Sequence, residues 1–244
     1  MIEAPAAVLL WLLFDGAKGN GKRPAPRTPA GEKETPVEKL PDVGAWPRAV
    51  PKGGEVSIKQ TGGQDIVAWR RLRYRAAVDF LSLDDRSINA MTELVDQGRV
   101  EKSEFDVNDI ALSVVAHWDI ETASGTKEFN YNVGGIFALP KDQYFKSLDV
   151  QSNKPVAFCA YNSLVEGIAD YFGFLSYERY ASALAALLML PTDSNWFSEL
   201  GWAGYYGMDP VRAAQILDER RAMVAADVAD LIAPSFESRD LGPQ

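Results

Sequence analysis

The sequence has little of the chemistry that metal sites and histidine-based hydrolases need. Its 244 residues include one cysteine, Cys159, and one histidine, His117. A disulfide within the chain and a cysteine zinc site are therefore excluded, and we expect no metal and no cofactor. A Ser-His-Asp triad would depend on His117 alone, and a lone histidine on a helix is more often a structural or surface residue.

Excess basic charge and long apolar runs are also missing. The formal net charge is -9 and the pI is about 4.8, so we expect no general basic surface for nucleic acid. An apolar run at residues 6–14 is shorter than the roughly 20 residues that a membrane-spanning helix needs. Glu3 precedes this run where a secretion signal would carry Lys or Arg, which argues against a signal peptide.

Composition divides the chain into four segments. Residues 1–15 contain the short apolar run, which predicts a plug that docks on a partner protein. Residues 16–55 are rich in Pro, Gly and Lys and have no apolar period, which predicts an extended linker. Residues 56–236 carry apolar positions at helical spacing and are long enough to bury a core, and residues 237–244 form a tail.

Helical periodicity dominates the segment from 56 to 236. Good N-cap residues precede two of its clearest helices, because Asp106 stands before the apolar run 107–121 and Asp209 is followed by proline. Turn residues mixed with β-branched and aromatic residues over 130–158 predict a short hairpin. We therefore expect a mainly α (α+β) fold, with a helical domain and a small β-hairpin lobe after an extended N-terminal tether.

One carboxylate, Glu121, ends an apolar helix and needs an explanation. It shares a helix face with Ile110, Val114 and Trp118, and a carboxylate on an apolar stripe is costly unless it is neutralised or paired. It also lies at the helix C-terminus, where the macrodipole disfavours negative charge. Both effects favour the protonated group that a general acid of glycoside cleavage needs. The alternative is an ordinary exposed or salt-bridged residue at a helix end.

Three blocks of sequence around and after this acid carry a family resemblance. The first is Glu-Thr-x-x-Gly at 121–125 followed by Asn-Tyr-Asn-Val-Gly-Gly-Ile at 130–136, the second spans 158–180, and the third is Gly-Tyr-Tyr-Gly-Met-Asp-Pro at 204–210. In this order they resemble the glucosaminidase family of peptidoglycan hydrolases, which belongs to the lysozyme-like superfamily. The chain departs from that family at Phe137-Ala138, which replace the Lys that usually closes the turn.

The resemblance implies a lysozyme-like fold and an endo-β-N-acetylglucosaminidase that cleaves β-1,4 bonds in the glycan strands of peptidoglycan. Glu121 corresponds to the general acid, and Tyr206 corresponds to the aromatic residue that faces it across the sugar cleft. A second carboxylate is implied in the hairpin, where Asp149 is the nearest match. Glu128 and Asp142 are alternatives, and all three are equally compatible with exposed loop charges.

Sugar contacts are expected from the turn and from an aromatic cluster near the third block. Tyr131 and Asn132 lie in the turn that resembles the family, and Trp202 and Tyr205 belong to a cluster of aromatic residues over 196–206. Flat rings can line a sugar cleft, but bulky aromatic residues also fill cores, and the sequence leaves both open. Of the cluster, Tyr205 or Tyr206 is expected to be the exposed ring.

The N-terminal segments suggest where such an enzyme acts. An apolar plug on a Pro-rich tether is a way to attach an enzyme to a larger particle, such as a phage virion or tail, that opens the bacterial cell wall from outside or from the periplasm. Four other functions stay open: a muramidase, a lytic transglycosylase, a virion or tail protein that kept the fold and lost catalysis, and a module that binds wall glycan without cutting it.

Overall fold

The structure, a computed structural model of the chain, describes residue 46 and residues 48–96, 106–148, 154–206 and 209–232. The predicted plug at 1–15, most of the predicted linker, the tail at 237–244 and Asp149 lie outside the described residues. The expectations placed on them therefore stay predictions.

Helices make up most of the described chain, and the sheet is small. Two antiparallel strands, β1 (Tyr144–Leu148) and β2 (Pro155–Cys159), pair with Tyr144 opposite Cys159. The helices are α1 (Ile66–Leu83), α2 (Asp85–Asp96), α3 (Val107–Glu121), α4 (Leu164–Leu175), α5 (Ala181–Met189), α6 (Asn195–Trp202) and α7 (Pro210–Val228), with a 3-10 turn at Glu178–Tyr180. The mainly helical fold with a small hairpin is as predicted. Within the described ranges, no helix has both the length and the apolar character needed to cross a membrane.

Helix α3 forms the centre of the folded body. It begins after Asp106, whose side chain accepts the first free backbone N–H groups of the helix, as its sequence predicted. Every residue from Ile110 to Asp119 is buried, and the helix packs between α1 and α7. A helix that is buried all round positions its last residue rigidly, so the fold holds Glu121 at a defined point of the surface.

Two buried carboxylates near the end of α3 are neutralised by arginines of α1. Asp119 accepts a hydrogen bond from Nε of Arg70 at 2.8 Å. Glu128, in the loop after α3, pairs with the guanidinium of Arg73 and accepts a hydrogen bond from the indole of Trp69 at 2.9 Å. A buried carboxylate is tolerated only with such partners, so the first pair fastens the end of α3 to α1 and the second fastens the loop after α3 to the same helix.

The described part of the predicted linker belongs to the folded body. Trp46 is only 2% exposed, and its ring lies 5.4 Å from that of Phe172 in α4. Arg48 donates from Nε to the buried carboxylate of Asp170 at 2.6 Å. The folded body therefore extends N-terminal to the predicted boundary at residue 55. Composition did not indicate that this part of the chain is folded, because single side chains, Trp46 and Arg48, make the contacts and the sequence around them has no apolar period.

Candidate functional site

Glu121 lies where the buried helix α3 reaches the surface. Its side chain is 25% exposed, although the residues of α3 from Ile110 to Asp119 are buried. Oε1 lies 3.4 Å from Nε2 of His117, one helical turn earlier. Oε2 lies toward Gly135, where an added β-carbon would come within 3.1 Å of it. One carboxylate oxygen therefore faces the protein interior and the other faces the turn at 130–136.

The chain reverses sharply after Glu121, and the Thr and Gly of the first block make this possible. Residues 123–125 all have positive φ, from 48° to 82°. The hydroxyl of Thr122 accepts the N–H of Gly125 at 3.0 Å and so closes the turn. A β-carbon at Gly125 would lie 2.4 Å from the ring of Trp69, so only glycine fits both the conformation and the space. The Thr and the Gly of the Glu-Thr-x-x-Gly pattern are thus structural requirements of this reversal, whereas Glu121 takes no part in these contacts.

The second part of the first block forms the turn beside Oε2. Asn132 is buried, donates from Nδ2 to the carbonyl groups of Ile136 and Cys159 at 2.9 and 3.0 Å, and accepts the N–H of Ile136 at 2.9 Å. Both the oxygen and the nitrogen of its amide are hydrogen-bonded to the backbone, so Asn132 shapes the turn and is not placed to bind sugar. Tyr131 is partly exposed, and Nζ of Lys59 lies 5.8 Å from the centre of its ring.

The third block supplies tyrosines next to Glu121. The hydroxyl of Tyr205 donates to the carbonyl of Gly134 at 2.6 Å, which ties this block to the turn at 130–136. The hydroxyl of Tyr206 donates to the carbonyl of Phe197. Burial raises the pKa of both phenols above the ordinary value, and the negative charge of Glu121 raises it further. Both tyrosines are therefore neutral at physiological pH.

The predicted aromatic cluster divides between core and surface. Trp196 and Phe197 are buried in the core, whereas Tyr205 and Tyr206 are partly exposed. Trp202, at the end of α6, is 61% exposed. An exposed indole and two partly exposed phenols fit rings that contact a ligand, whereas the first two rings fill space.

His117 is a neighbour of Glu121 that the sequence interpretation did not select. The imidazole is fully buried, and its Nδ1 lies 2.7 Å from the hydroxyl of Tyr171. Rings that enclose it lie 4.7 to 5.7 Å away, centre to centre, and belong to Tyr171, Trp196, Phe197 and Tyr205. The sequence contained a signal for this contact, because residues four apart on one helix, such as His117 and Glu121, lie on the same face.

Both described alternatives for a second carboxylate are engaged elsewhere. Glu128 is fully buried in its pair with Arg73. Asp142 is buried as well, with Oδ1 at 3.1 Å from Nζ of Lys52 and Oδ2 accepting the N–H of Leu139 at 2.9 Å. Neither group can activate water without leaving the partners that stabilise it, so the two act as structural residues and not as loop charges.

Comparison with known proteins adds one solved structure. The chain is similar to the glycoside hydrolase domain of FlgJ from Salmonella typhimurium, with 21% identity and a TM-score of 0.43. The alignment covers 69% of this chain and 91% of that domain. No protein-family model matches the chain, and no curated protein matches it.

Proposed function

We propose that this protein hydrolyses the β-1,4 glycan bonds of peptidoglycan, with Glu121 as the general acid. The observation that supports this most is the convergence of separate sequence blocks on one carboxylate. Gly135 of the turn lies beside Oε2, and Tyr205 of the third block is hydrogen-bonded to the same turn. Core packing alone does not require a partly exposed acid at the point where these blocks meet.

The surroundings of Glu121 suit proton donation to a glycosidic oxygen. Its side chain is 25% exposed, so a substrate can approach it, and the tyrosines beside it are neutral. A carboxyl group in this position can protonate the leaving oxygen, and the resulting carboxylate can then stabilise the positive charge that develops on the sugar.

We assign cleavage to the bond after N-acetylglucosamine on the basis of the family resemblance. Asp149 stays our candidate for the second carboxylate. One observation favours a lytic transglycosylase as the second candidate function: Glu128 and Asp142 are both held in ion pairs. A transglycosylase would cut the other bond, after N-acetylmuramic acid, and would need no second carboxylate. Glu121 would protonate the leaving oxygen and then take the proton of the C6 hydroxyl of that sugar as this hydroxyl attacks C1, which gives an anhydromuramyl end.

The full-length chain should therefore be incubated with purified peptidoglycan, and the released fragments identified by mass spectrometry. Reducing-end N-acetylglucosamine is the expected product. Anhydromuramyl ends would indicate a transglycosylase, and reducing-end N-acetylmuramic acid a muramidase. If no fragment is released, sedimentation of the protein with insoluble peptidoglycan separates a glycan-binding module from a structural protein that does not bind the wall.

Gly135→Ala is expected to lower glycan hydrolysis by about 10- to 100-fold, because small displacements at a reacting group have effects of this size. The added methyl would lie 3.1 Å from Oε2 of Glu121, at a residue with a φ of 59° that disfavours any side chain. Initial rates of fragment release measure the effect. Gly54→Ala is the matched control, because nothing lies within 4 Å of a β-carbon there. A Gly135→Ala protein as active as the control would contradict the placement of Oε2.

We also propose that residues 1–15 attach the enzyme to a phage virion or tail, so that it acts locally on the bacterial cell wall. The support is the apolar run at 6–14 followed by a Pro-rich segment. Detection of the chain in purified particles, and its loss when residues 1–15 are deleted, would test the attachment independently of the enzymatic activity.

A further inference from the structure

The buried imidazole of His117 has one partnered and one unpartnered nitrogen. Nδ1 is 2.7 Å from the hydroxyl of Tyr171. Nε2 is buried without a hydrogen-bond partner, and the carboxylate atom Oε1 of Glu121 lies 3.4 Å from it. A polar nitrogen left unpartnered in an interior is costly, so its position directly behind the proposed acid calls for a reason.

We propose that Tyr171 and His117 form a positioning relay, in which Nε2–H of the imidazole holds Oε1 of Glu121 and leaves the reactive proton on Oε2. The relay deepens the proposed function, on which its catalytic meaning rests. His117 acts through Glu121 and is not itself a catalytic residue.

The proposal assigns the donor role in the contact with Nδ1 to the hydroxyl of Tyr171. Burial raises the pKa of this phenol well above the ordinary value, and the charge of Glu121 raises it further, so the group stays a neutral O–H. When that O–H donates to Nδ1, a neutral imidazole carries its own proton on Nε2. The opposite tautomer would direct the lone pair of Nε2 at Oε1. An ionised carboxylate would then have no proton between the two atoms, and a protonated Glu121 would carry its proton on Oε1, away from Oε2.

This arrangement decides which oxygen of Glu121 delivers the proton. A carboxylic acid has one oxygen that accepts and one that carries the proton. If Oε1 accepts Nε2–H, the acidic proton lies on Oε2, which faces Gly135 and the surface. After the proton has passed to the glycosidic oxygen, the carboxylate keeps the same N–H donor. His117 thus serves both states of the acid without moving its own proton.

The contact needs only a small adjustment. An N–H···O hydrogen bond is about 2.7 to 3.2 Å long, and catalytic hydrogen bonds commonly tighten when substrate binds. The titratable groups that face the pair are Tyr171 from α4 and the neutral phenols Tyr205 and Tyr206 from the segment after α6. These phenols do not compete for a proton near neutral pH.

Nitrogen NMR of the full-length chain tests the relay without any substrate. His117 is the only histidine, so histidine-specific 15N labelling reports a single imidazole. We expect a neutral ring with the proton on Nε2 and a bare Nδ1. Tyr171→Phe should give a mixture of the two neutral tautomers. Glu121→Gln should shift the Nε2 resonance more than that of Nδ1. A proton found on Nδ1, or an Nε2 chemical shift that Glu121→Gln leaves unchanged, would overturn the proposal.

Kinetics provide the second test. His117→Phe keeps a ring of similar shape without nitrogen, and we expect kcat to fall about 10- to 100-fold with KM unchanged, as for other residues that orient a catalytic group. His117→Gln can place an amide N–H near the position of Nε2 and should recover most of the loss. A kcat for His117→Phe equal to that of the parent would refute the relay. A parent chain that cuts no glycan would refute the proposed function, while the NMR result still decides the contact.

Discussion

Glu121→Gln is expected to lower kcat for glycan hydrolysis by about 100- to 10,000-fold, the range by which general acids accelerate reactions. Glutamine has the shape of glutamate and keeps an oxygen that can accept from Nε2 of His117, but its amide has no acidic proton to give. Substrate binding should change little, because the amide has the shape of the protonated acid and, like it, carries no charge. Fragment release from purified peptidoglycan under saturating substrate measures kcat directly.

The matched control for this variant is Glu219→Gln. Glu219 is exposed on α7, so its loss of charge should leave both activity and stability unchanged. Urea unfolding of Glu121→Gln should give a midpoint close to that of the parent, which separates a chemical effect from misfolding. A general acid is expected to change kcat by at least about 100-fold. If folded Glu121→Gln keeps more than about a tenth of the parent's kcat, the loss is smaller than this, and Glu121 is not the acid.

Glu128→Leu should lower the free energy of unfolding by about 3–5 kcal/mol, the cost of leaving one partner of a buried ion pair unneutralised. Both side chains of the pair with Arg73 are almost fully buried, at 2% and 0% exposed. The leucine would also leave the indole N–H of Trp69 and the hydroxyl of Thr61 without their acceptor. Equilibrium urea unfolding followed by circular dichroism measures the loss.

The double variant Arg73→Met with Glu128→Leu is the informative control. Replacing both charges by apolar side chains removes the unpaired guanidinium, so the double variant should be more stable than Glu128→Leu alone. A double variant as unstable as the sum of the two single variants would show that the two charges do not interact. Because Glu128 holds the loop after α3, Glu128→Leu should also reduce activity through the turn that follows Glu121.

The sequence was sufficient for those features that depend on local patterns. The predicted helix at 107–121 coincides with α3, because its N-cap residue and its apolar run are adjacent in the sequence and need no distant partner to be recognised. The predicted short hairpin within 130–158 is confirmed, because β1 and β2 occupy the second half of that range, and the residues before Tyr144 form mainly turns. Turns and strands share many residue types, and only the pairing partner decides between them.

Contacts between distant parts of the chain could not be predicted in the same way. The burial of Glu128 depends on Arg73, which lies 55 residues earlier, and no local pattern joins the two. Asn132 was expected at the sugar, yet the direction of its amide is decided by the carbonyl of Cys159 on the second strand. His117 was within reach of sequence reasoning, because four residues on a helix separate it from Glu121.

The entry of the chain into the folded body has a mechanical consequence. Trp46 packs into the core against Phe172, and Arg48 is bound to Asp170 of the same helix, α4. A pull transmitted along the chain from the N-terminal side meets Trp46 and Arg48 first, and Arg48 also contacts Sγ of Cys159 in β2 at 3.4 Å. Tension on the N-terminal side is thus delivered to α4, the helix whose Tyr171 contacts His117 behind Glu121.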